Sequence, residues 1–345
     1  MRNACEYKKI GDICDIKTGK LDANAASENG KYPFFTCSRD TLSIDSYSYD
    51  CECVLIAGNG DLNVKYYNGK FDAYQRTYII TLKPQHNTVS VQYLYQFFSK
   101  YVEKLRQLSI GGVIKYIKLG NLTDATIPIP SQEEQAIICS LLDKLNRVIE
   151  AKKEQLKELD NLAQAIFYDM FGDPITNNKG WNVAKVIDVV KLQRGYDLPV
   201  QDRHSDGNIP IYGANGIVGY HTEAKAQYGI ITGRSGSIGD VYMSKIPFWP
   251  LNTSLFSVDT HDNDIVFLMY LIRNYDLLRF KQGAGVPTLN RNSFHQNDII
   301  DVPLHLQQAF AEKVQAIERQ KELINQSIKD VQTLFDAKMD YYFGD

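Results

Sequence analysis

The sequence predicts an α/β (α+β) protein: two mixed α/β globular domains joined by two long helices that pair as an antiparallel coiled coil, the whole forming a pseudo-two-fold internal repeat. Three observations carry that expectation. The tripeptide Phe171-Gly172-Asp173 recurs as Phe343-Gly344-Asp345, each copy follows about 40 residues of heptad-spaced apolar positions, and the segments between consist of short β-rich runs punctuated by Gly, Asn and Asp.

The repeat comes first because it constrains every other element. Its two tails lie 343 − 171 = 172 residues apart. Carried backward without a gap, that shift aligns Gln135 with Gln307, Ile127 with Ile299, Ile117 with Leu289 and Gly111 with Gly283. Nearer the start the register drifts by a few residues, yet Ile10-Gly11-Asp12-Ile13 resembles Val186-Ile187-Asp188-Val189, and Gly19 resembles Gly195. The loops have diverged and the frame has not.

The first heptad run places Ile138, Leu142, Leu145, Ile149, Lys152, Leu156, Leu159, Ala163, Ile166 and Met170 on one seam. At the same shift, the second places Phe310, Val314, Ile317, Lys321, Ile324, Ile328, Val331, Phe335, Lys338 and Tyr342. Pro128 and Pro130 precede the first run, Pro303 precedes the second, and Gly172 with Pro174 stops the first. Each helix should therefore run about 36 to 40 residues, roughly 55 to 60 Å at 1.5 Å per residue. Two such seams are buried most simply against each other, antiparallel because a whole domain separates them, in a rod with a globular domain toward each end. The alternative is that each helix packs only on its own domain. Seam lysines Lys152, Lys321 and Lys338 are expected to snorkel, to pair with acids such as Glu150 or Asp340, or to lie where a partner docks.

The globular segments, about residues 5 to 127 and 181 to 302, contain β-rich runs such as Cys53-Val54-Leu55-Ile56, residues 77–82 and Gly229-Ile230-Ile231-Thr232. One helical pattern occurs in each, at 91–98 and 265–272, as expected of a helix lying on a sheet. The chain thus divides into a first domain (1–130), a first long helix (131–172), a second domain (173–303) and a second long helix (304–345).

Composition is that of a folded, soluble chain: 44% hydrophobic, with 22 Tyr and 15 Phe, no low-complexity tract and no apolar stretch of bilayer-spanning length. Residues 1–7 lack the apolar core of a signal peptide, so a cytoplasmic protein with free thiols is expected. The cysteines (Cys5, Cys14, Cys37, Cys51, Cys53, Cys139) form no C-x-x-C pair; Cys51 and Cys53 share one face of a strand and read as buried structural thiols. A net charge of −3 argues against a uniformly basic surface and leaves room for a local basic cleft.

No catalytic residue and no metal site is expected. An Asn- or Asp-Pro-Pro-aromatic loop for a flipped adenine is absent, as is a glycine-rich turn for a methyl donor. Gly233-Arg234-Ser235-Gly236-Ser237-Ile238-Gly239 lacks the Gly-Lys-Ser/Thr ending of a phosphate cradle and reads as a turn presenting Arg234 and Ser235, or as a plain hairpin turn. Histidines 86, 204, 221, 261, 295 and 305 are scattered singly. Glu150-Ala151-Lys152 imitates a nuclease motif but sits inside a heptad helix as a solvated face. The loops do offer polar, aromatic and basic residues on Gly-rich turns: Arg39, Asn59, Lys65, Tyr66, Arg76 and Lys115, then Arg194, Tyr196, Arg203, Tyr212, Asn215, Arg234, Ser235, Thr288 and Arg291. Arg and Asn can pair with purine edges, while Lys, Ser and Thr commonly meet phosphates, although each residue taken singly also fits an ordinary surface group.

At this point the sequence resembles a family. Ile127-Pro128-Ile129-Pro130-Ser131-Gln132-Glu133-Glu134-Gln135, leading into a heptad helix that ends in Phe-Gly-Asp, is similar to the specificity subunit of type I restriction-modification enzymes. The likeness spans the chain, taking in Ile10 to Ile13 with Gly19, the Trp181 start of the second half, the 233–239 turn, and Gly283-Ala284-Gly285-Val286-Pro287-Thr288-Leu289. It implies that each globular segment is a target recognition domain reading one half of a bipartite site on double-stranded DNA. It further implies that the helices set the spacer and dock two copies of a DNA adenine methyltransferase subunit, with Leu142, Leu145, Ile149, Leu156, Leu159, Val314, Ile317, Ile324, Ile328 and Val331 as spacer and docking positions. The partners would bring the chemistry: S-adenosylmethionine for adenine N6 methylation, and ATP with Mg for cleavage by restriction/translocase subunits, with no cofactor in this chain. Two departures stand out. Leu306-Gln307 replaces Glu134-Gln135 in the second copy, and the chain is shorter than expected of most members. A truncated, phase-variable or stand-alone DNA-binding protein acting without a methyltransferase is the alternative, and an unrecognised nuclease or methyltransferase centre is a third reading.

Overall fold

Alternating apolar and polar residues in the first half form strands, and the 3.6-residue patterns form helices, in the order the sequence sets. In the computed structural model, which describes residues 6–86, 88–203, 207–283 and 287–344, strand β1 (Glu6–Lys9) enters a one-turn helix α1 (Ile10–Ile13). Strands β2 (Cys14–Thr18), β3 (Tyr32–Phe35), β4 (Leu42–Ile44), β5 (Tyr49–Ala57), β6 (Val64–Ala73) and β7 (Thr77–Leu82) follow. Then come α2 (Val91–Leu108), α3 (Leu119–Thr123), β8 (Thr126–Ile129) and the 40-residue helix α4 (Gln132–Phe171). Cys5, His204, Ala284, Gly285, Val286 and Asp345 lie outside the described residues.

The second half repeats this path: β9 (Asn182–Lys185), α5 (Val186–Val189), β10 (Lys191–Arg194), β11 (Ile209–Gly213), β12 (Gly216–His221), β13 (Gly229–Gly233), β14 (Val241–Ser244), β15 (Trp249–Pro250) and β16 (Ser254–Asp259). It closes with α6 (Ile265–Arg273), β17 (Lys281–Gln282), β18 (Thr288–Leu289), α7 (Arg291–His295), β19 (Asp298–Asp301) and the 40-residue α8 (Leu304–Phe343). β1 pairs antiparallel with β8, and β9 pairs antiparallel with β19. The first sheet has the order β2-β7-β5-β6-β3-β4, and its counterpart begins identically as β10-β16-β13-β14. There the copies part. β6 runs unbroken for ten residues and carries β3 alongside in parallel, whereas β14 ends at Ser244 and only β15 pairs in parallel with β11. Pro247, in the break, has no N–H for a ladder, so the second sheet divides into four- and three-stranded pieces.

The glycines that matched across the repeat are steric necessities. A Cβ on Gly19 would sit 2.1 Å from the Ala73 carbonyl oxygen, and one on Gly195 would sit 2.2 Å from that of Leu251. Backbone meets backbone there in both copies, and only hydrogen fits between.

The chain forms two compact units, one of residues 1–153 with 326–345, the other of 154–325. In the first, α2 lays Tyr93, Leu94, Phe97 and Phe98 on Val54, Ile56 and Ile80, and the core is completed by Ile138, Cys139 and Leu142 from the start of α4 with Met339 and Phe343 from the end of α8. In the second, α6 packs with Ala163, Phe167 and Phe171 from the end of α4 and with Phe310, Ala311, Val314 and Ile317 from the start of α8. Within each unit the two helices therefore run antiparallel, and both also seal that unit's core: pairing and docking occur together. All twenty expected seam positions are buried or half-buried. The periodic reading left out Phe167, Phe171, Met339 and Phe343, one step beside that seam, which face the sheets.

Glu150 and Asp340 pair with lysines off the seam, and Lys321 pairs with other acids. Glu150 holds Lys153 at 2.8 Å and Asp340 holds Lys100 at 2.8 Å, while Lys321 reaches Asp160 at 2.8 Å and Glu318 at 2.9 Å. Burial pulls the Lys321 ammonium down, but its two carboxylate partners leave it raised above its ordinary value. Lys338 lies over the Tyr341 ring.

The motif ahead of each long helix has a mechanical explanation. Glu134 and Ser131 form a capping box: the Glu134 N–H donates to Ser131 Oγ at 3.2 Å and the Ser131 N–H to Glu134 Oε2 at 3.1 Å. Leu306, at the Glu134 position, instead packs against the second unit's core. Gln135, 1% exposed, accepts from the Ser90 N–H at 3.0 Å and donates to the carbonyls of Thr88 at 2.7 Å and Pro130 at 2.9 Å. Gln307 does the same work, accepting from the Asp264 N–H at 2.9 Å and donating to Asn263 Oδ1 at 2.6 Å and the Val302 carbonyl at 2.7 Å. Each glutamine ties the long helix to the N-cap of the helix lying on the sheet. Gly172, at φ +75°, ends α4 in the left-handed conformation, and Trp181 Nε1 donates to the Phe171 carbonyl at 2.9 Å.

Candidate nucleic-acid interface

Five of the first unit's candidate residues converge on the loop joining β5 to β6. Arg39 forms a bidentate pair with Asp61 (2.6 and 3.3 Å), lowering that carboxylate's pKa through the hydrogen bond. Lys65 donates to the Ser38 carbonyl at 2.6 Å beside the Phe35 ring, and burial lowers its pKa. Arg76 is exposed while its carbonyl accepts the Gly58 N–H at 2.8 Å. Lys115 is exposed while its carbonyl accepts the Gly60 N–H at 2.9 Å, and Asn59 bridges to Tyr116. Tyr66 departs from this group: one residue along β6 from Lys65, it faces the opposite side, where its hydroxyl donates to Glu52 at 2.7 Å and its ring meets Tyr95.

The second unit builds the same place from different side chains. The Arg234 N–H donates to the Thr253 carbonyl at 2.9 Å, the Gly236 N–H to Pro287 at 3.0 Å, and Ser235 bridges to Thr288. Leu289 donates to the Arg234 carbonyl at 2.8 Å just as Ile117 donates to that of Gly58 at 3.0 Å. Arg194 reaches Asp197 at 3.2 Å, and Tyr196 is tied into the strand neighbourhood by its N–H to Pro250 at 2.8 Å. The Ala214-Asn215 turn adjoins Gly233, where a Cβ would come within 3.2 Å of the Ala214 carbonyl. Arg291 opens α7, its guanidinium turned toward Asn292 at 3.4 Å. Arg203 is half-buried, with an Nε that has no hydrogen-bond partner among the described residues.

One candidate is corrected outright. Tyr212, 8% exposed, lies in a core cluster with Ile231, Phe248 and Phe256, because β11 is covered on both faces, its neighbour Ile211 packing with Trp249 and Leu251. Residues the sequence reading missed are the holders: Asp61 and Asp197 fix Arg39 and Arg194, and Asn63 Nδ2 ties the loop to the carbonyls of Cys37 and Asp61, both at 2.9 Å. An Asp and an Asn around a Gly-rich turn were the available signal.

Two shallow grooves flank the long helices at related positions. One of about 470 Å³ in the first unit is lined by Gln92, Asp143, Lys144 and Arg147 among others, and one of about 320 Å³ in the second by Lys245, Gln315, Glu318 and Arg319 among others. The 172-residue shift relates Arg147 to Arg319 and also the exposed Leu162 to Leu334. Among the described residues no group of His, Cys, Asp and Glu is placed to hold a metal ion, and no helix is long and apolar enough to cross a membrane. Cys14 and Cys139, both buried, are pushed up to about 12 and about 11 by burial and stay protonated thiols.

A fixed backbone arrangement presenting different side chains recurs in two copies, each sealed by the ends of the same two helices, and defines an internally duplicated protein. The chain belongs to the type I restriction modification DNA specificity domain family, whose model matches residues 3–161 and again 178–333. It is 38% identical over 154 residues to the type I restriction enzyme EcoDI specificity subunit of Escherichia coli, a match covering 45% of this chain and about a third (34%) of that relative's length. In three dimensions it superposes on the type I restriction-modification system S subunit from M. genitalium with a TM-score of 0.64 at 16% identity, over 100% of this chain and 98% of that one. A chain from a structure of complex assembly and conformational transition of the type I R-M system gives 0.61 at 13% identity, over 99% and 98%.

Proposed function

We propose that this chain is the sequence-reading subunit of a type I restriction-modification complex, each unit reading one half of a bipartite site on double-stranded DNA. The observation that carries the reading is the shared backbone arrangement. Backbone bonds at Gly58, Gly60 and Ile117 reappear at Arg234, Gly236 and Leu289, so both loops are held to the same geometry while the residues they present differ. A reader of two different half-sites requires such a constant frame with variable tips. Arg39, Asn59, Lys65, Arg76 and Lys115 serve the first half-site; Arg194, Tyr196, Asn215, Arg234, Ser235, Thr288 and Arg291 serve the second. The long helices set the spacing, and the two related grooves, with Leu162 and Leu334, support docking of two copies of one DNA adenine methyltransferase subunit. Those partners bring S-adenosylmethionine, and restriction/translocase subunits bring ATP and Mg; this chain supplies recognition.

Methylome sequencing of cells expressing the chain with its methyltransferase, against cells lacking the chain, tests this directly. The expected outcome is one bipartite adenine-methylated motif that disappears with the chain. A motif that persists without it, or methyl transfer by the purified chain alone, overturns the reading.

A further inference from the structure

The loop between α2 and α3 carries an unusual surface. Ile110 and Tyr116 exchange both backbone hydrogen bonds (3.0 and 2.9 Å), closing residues 110–116 into a narrow hairpin. Gly111 makes the closure possible: at φ +123° it holds a conformation other residues avoid, and a Cβ there would lie 2.6 Å from the Ile114 carbonyl oxygen. At the tip Val113 is 102% exposed and Ile114 63% exposed, with Ile110 and Tyr116 also exposed below them. Two adjacent aliphatic side chains, one fully and one largely in water on a braced hairpin, are not a folding requirement, and an exposed apolar cluster of this kind marks a contact surface.

Its setting identifies what it contacts. The hairpin's base is hydrogen-bonded to the β5–β6 loop through Gly60 to Lys115 and Ile117 to Gly58. Around that loop stand Arg39, Arg76, Lys115 and Arg106, whose guanidinium reaches the Leu62 carbonyl at 2.8 Å. An apolar tip beside a loop flanked by exposed Arg76, Lys115 and Arg106, with Arg39 paired to Asp61, matches a nucleic-acid groove, where phosphates line the rims and the thymine 5-methyl is the apolar feature of the floor. By the 172-residue shift the sequence positions matching Val113-Ile114 are Gly285-Val286, so the pair of branched aliphatic residues is peculiar to the first copy.

Resting on the function proposed above, we infer that Val113 and Ile114 form an apolar reading finger of the first unit, packing on the 5-methyl edge of a thymine in its half-site. The purified wild-type complex with its methyltransferase is titrated with duplexes carrying thymine or deoxyuridine at each thymine of the half-site; deoxyuridine removes only the methyl group. At one position the wild type should lose about tenfold in affinity. The Val113→Ser/Ile114→Ser complex should bind both duplexes equally, at the weaker level. Thermal melting should change by no more than about 2 °C and assembly with the methyltransferase should be unchanged in that variant, because the replaced side chains are largely exposed and belong to none of the buried cores. A wild type indifferent to deoxyuridine overturns the finger, as does a variant that keeps the thymine preference. A variant that no longer assembles also overturns it, by showing a protein contact at the tip. Failure of the wild-type complex to bind any bipartite duplex refutes instead the function on which the finger rests.

Discussion

Replacing Gln135 by leucine, a change of similar volume, measures what the helix-to-cap strut contributes. The mutation deletes three hydrogen bonds: one accepted from the Ser90 N–H and two donated to the carbonyls of Thr88 and Pro130. A net hydrogen bond contributes about 1 kcal/mol, and an orphaned buried group costs about 1–3 kcal/mol. Ser90 and Thr88 are themselves exposed, so water can re-solvate part of what is lost and the low end applies. We expect the first unit to lose about 2–3 kcal/mol, or roughly 5–10 °C in melting temperature for a body of this size. The assay is thermal unfolding combined with amide hydrogen exchange. Protection should fall selectively at the start of α2, around Tyr93 and Leu94, and remain at the start of α6. Gln307→Leu should give the mirror result, exposing α6 and sparing α2. A melting temperature within about 1 °C of wild type, or exchange increasing equally in both units, would refute the strut.

Phe343→Ala should destabilise the first unit by about 3 kcal/mol although it stands 342 positions from Met1 in sequence, because it is 9% exposed and meets the rings of Tyr93 and Phe97 at 5.2 and 6.1 Å; denaturant titration reads the change. His295 accepts the Leu192 N–H at 3.1 Å, and burial, then Arg291 and Lys191, lower its pKa. Its contribution is therefore complete above the unfolded value of about 6.5 and is lost as pH falls through the lower folded value. Melts between pH 7.5 and 5 should show the second unit weakening on acidification, and His295→Gln should flatten that slope. Lys115→Ala or Arg76→Ala should weaken bipartite-duplex binding across sequences and reduce the logarithmic salt slope by about one each, measured by fluorescence anisotropy. Tyr212→Phe should leave DNA affinity unchanged, since only its 3.5 Å contact to the Met243 carbonyl, within the fold, is removed.

Much of the frame was legible in the sequence because periodicity and register are local or self-referential. The heptads located both long helices, since a stripe recurring every three and four residues can be buried only as a helix, and the 172-residue shift related the two halves. Gly19 and Gly195 stood out in alignment, but that each lies against a backbone carbonyl emerged only when β2 and β10 met their neighbours. The glutamine pair was visible as a match; its role as a strut depends on α2 and α6 being folded back onto the long helices.

The candidate interface was less legible, for a physical reason. Whether an Arg, Tyr or Asn on a Gly-rich turn faces solvent depends on strand parity and on partners far along the chain. Tyr212 and Tyr66 were both plausible by type, yet one lies on a strand covered on both faces and the other is turned by the pleat toward Glu52 and α2. Conversely Arg39, Asn59, Lys65, Arg76 and Lys115, spread over 77 positions, were brought to one loop by hydrogen bonds no local pattern encodes. The sequence by itself determined the duplication, the two helices and the kinds of side chain available. Tertiary structure alone decided which of those side chains stand together, because convergence at a loop is set by long-range backbone pairing and not by any period in the chain.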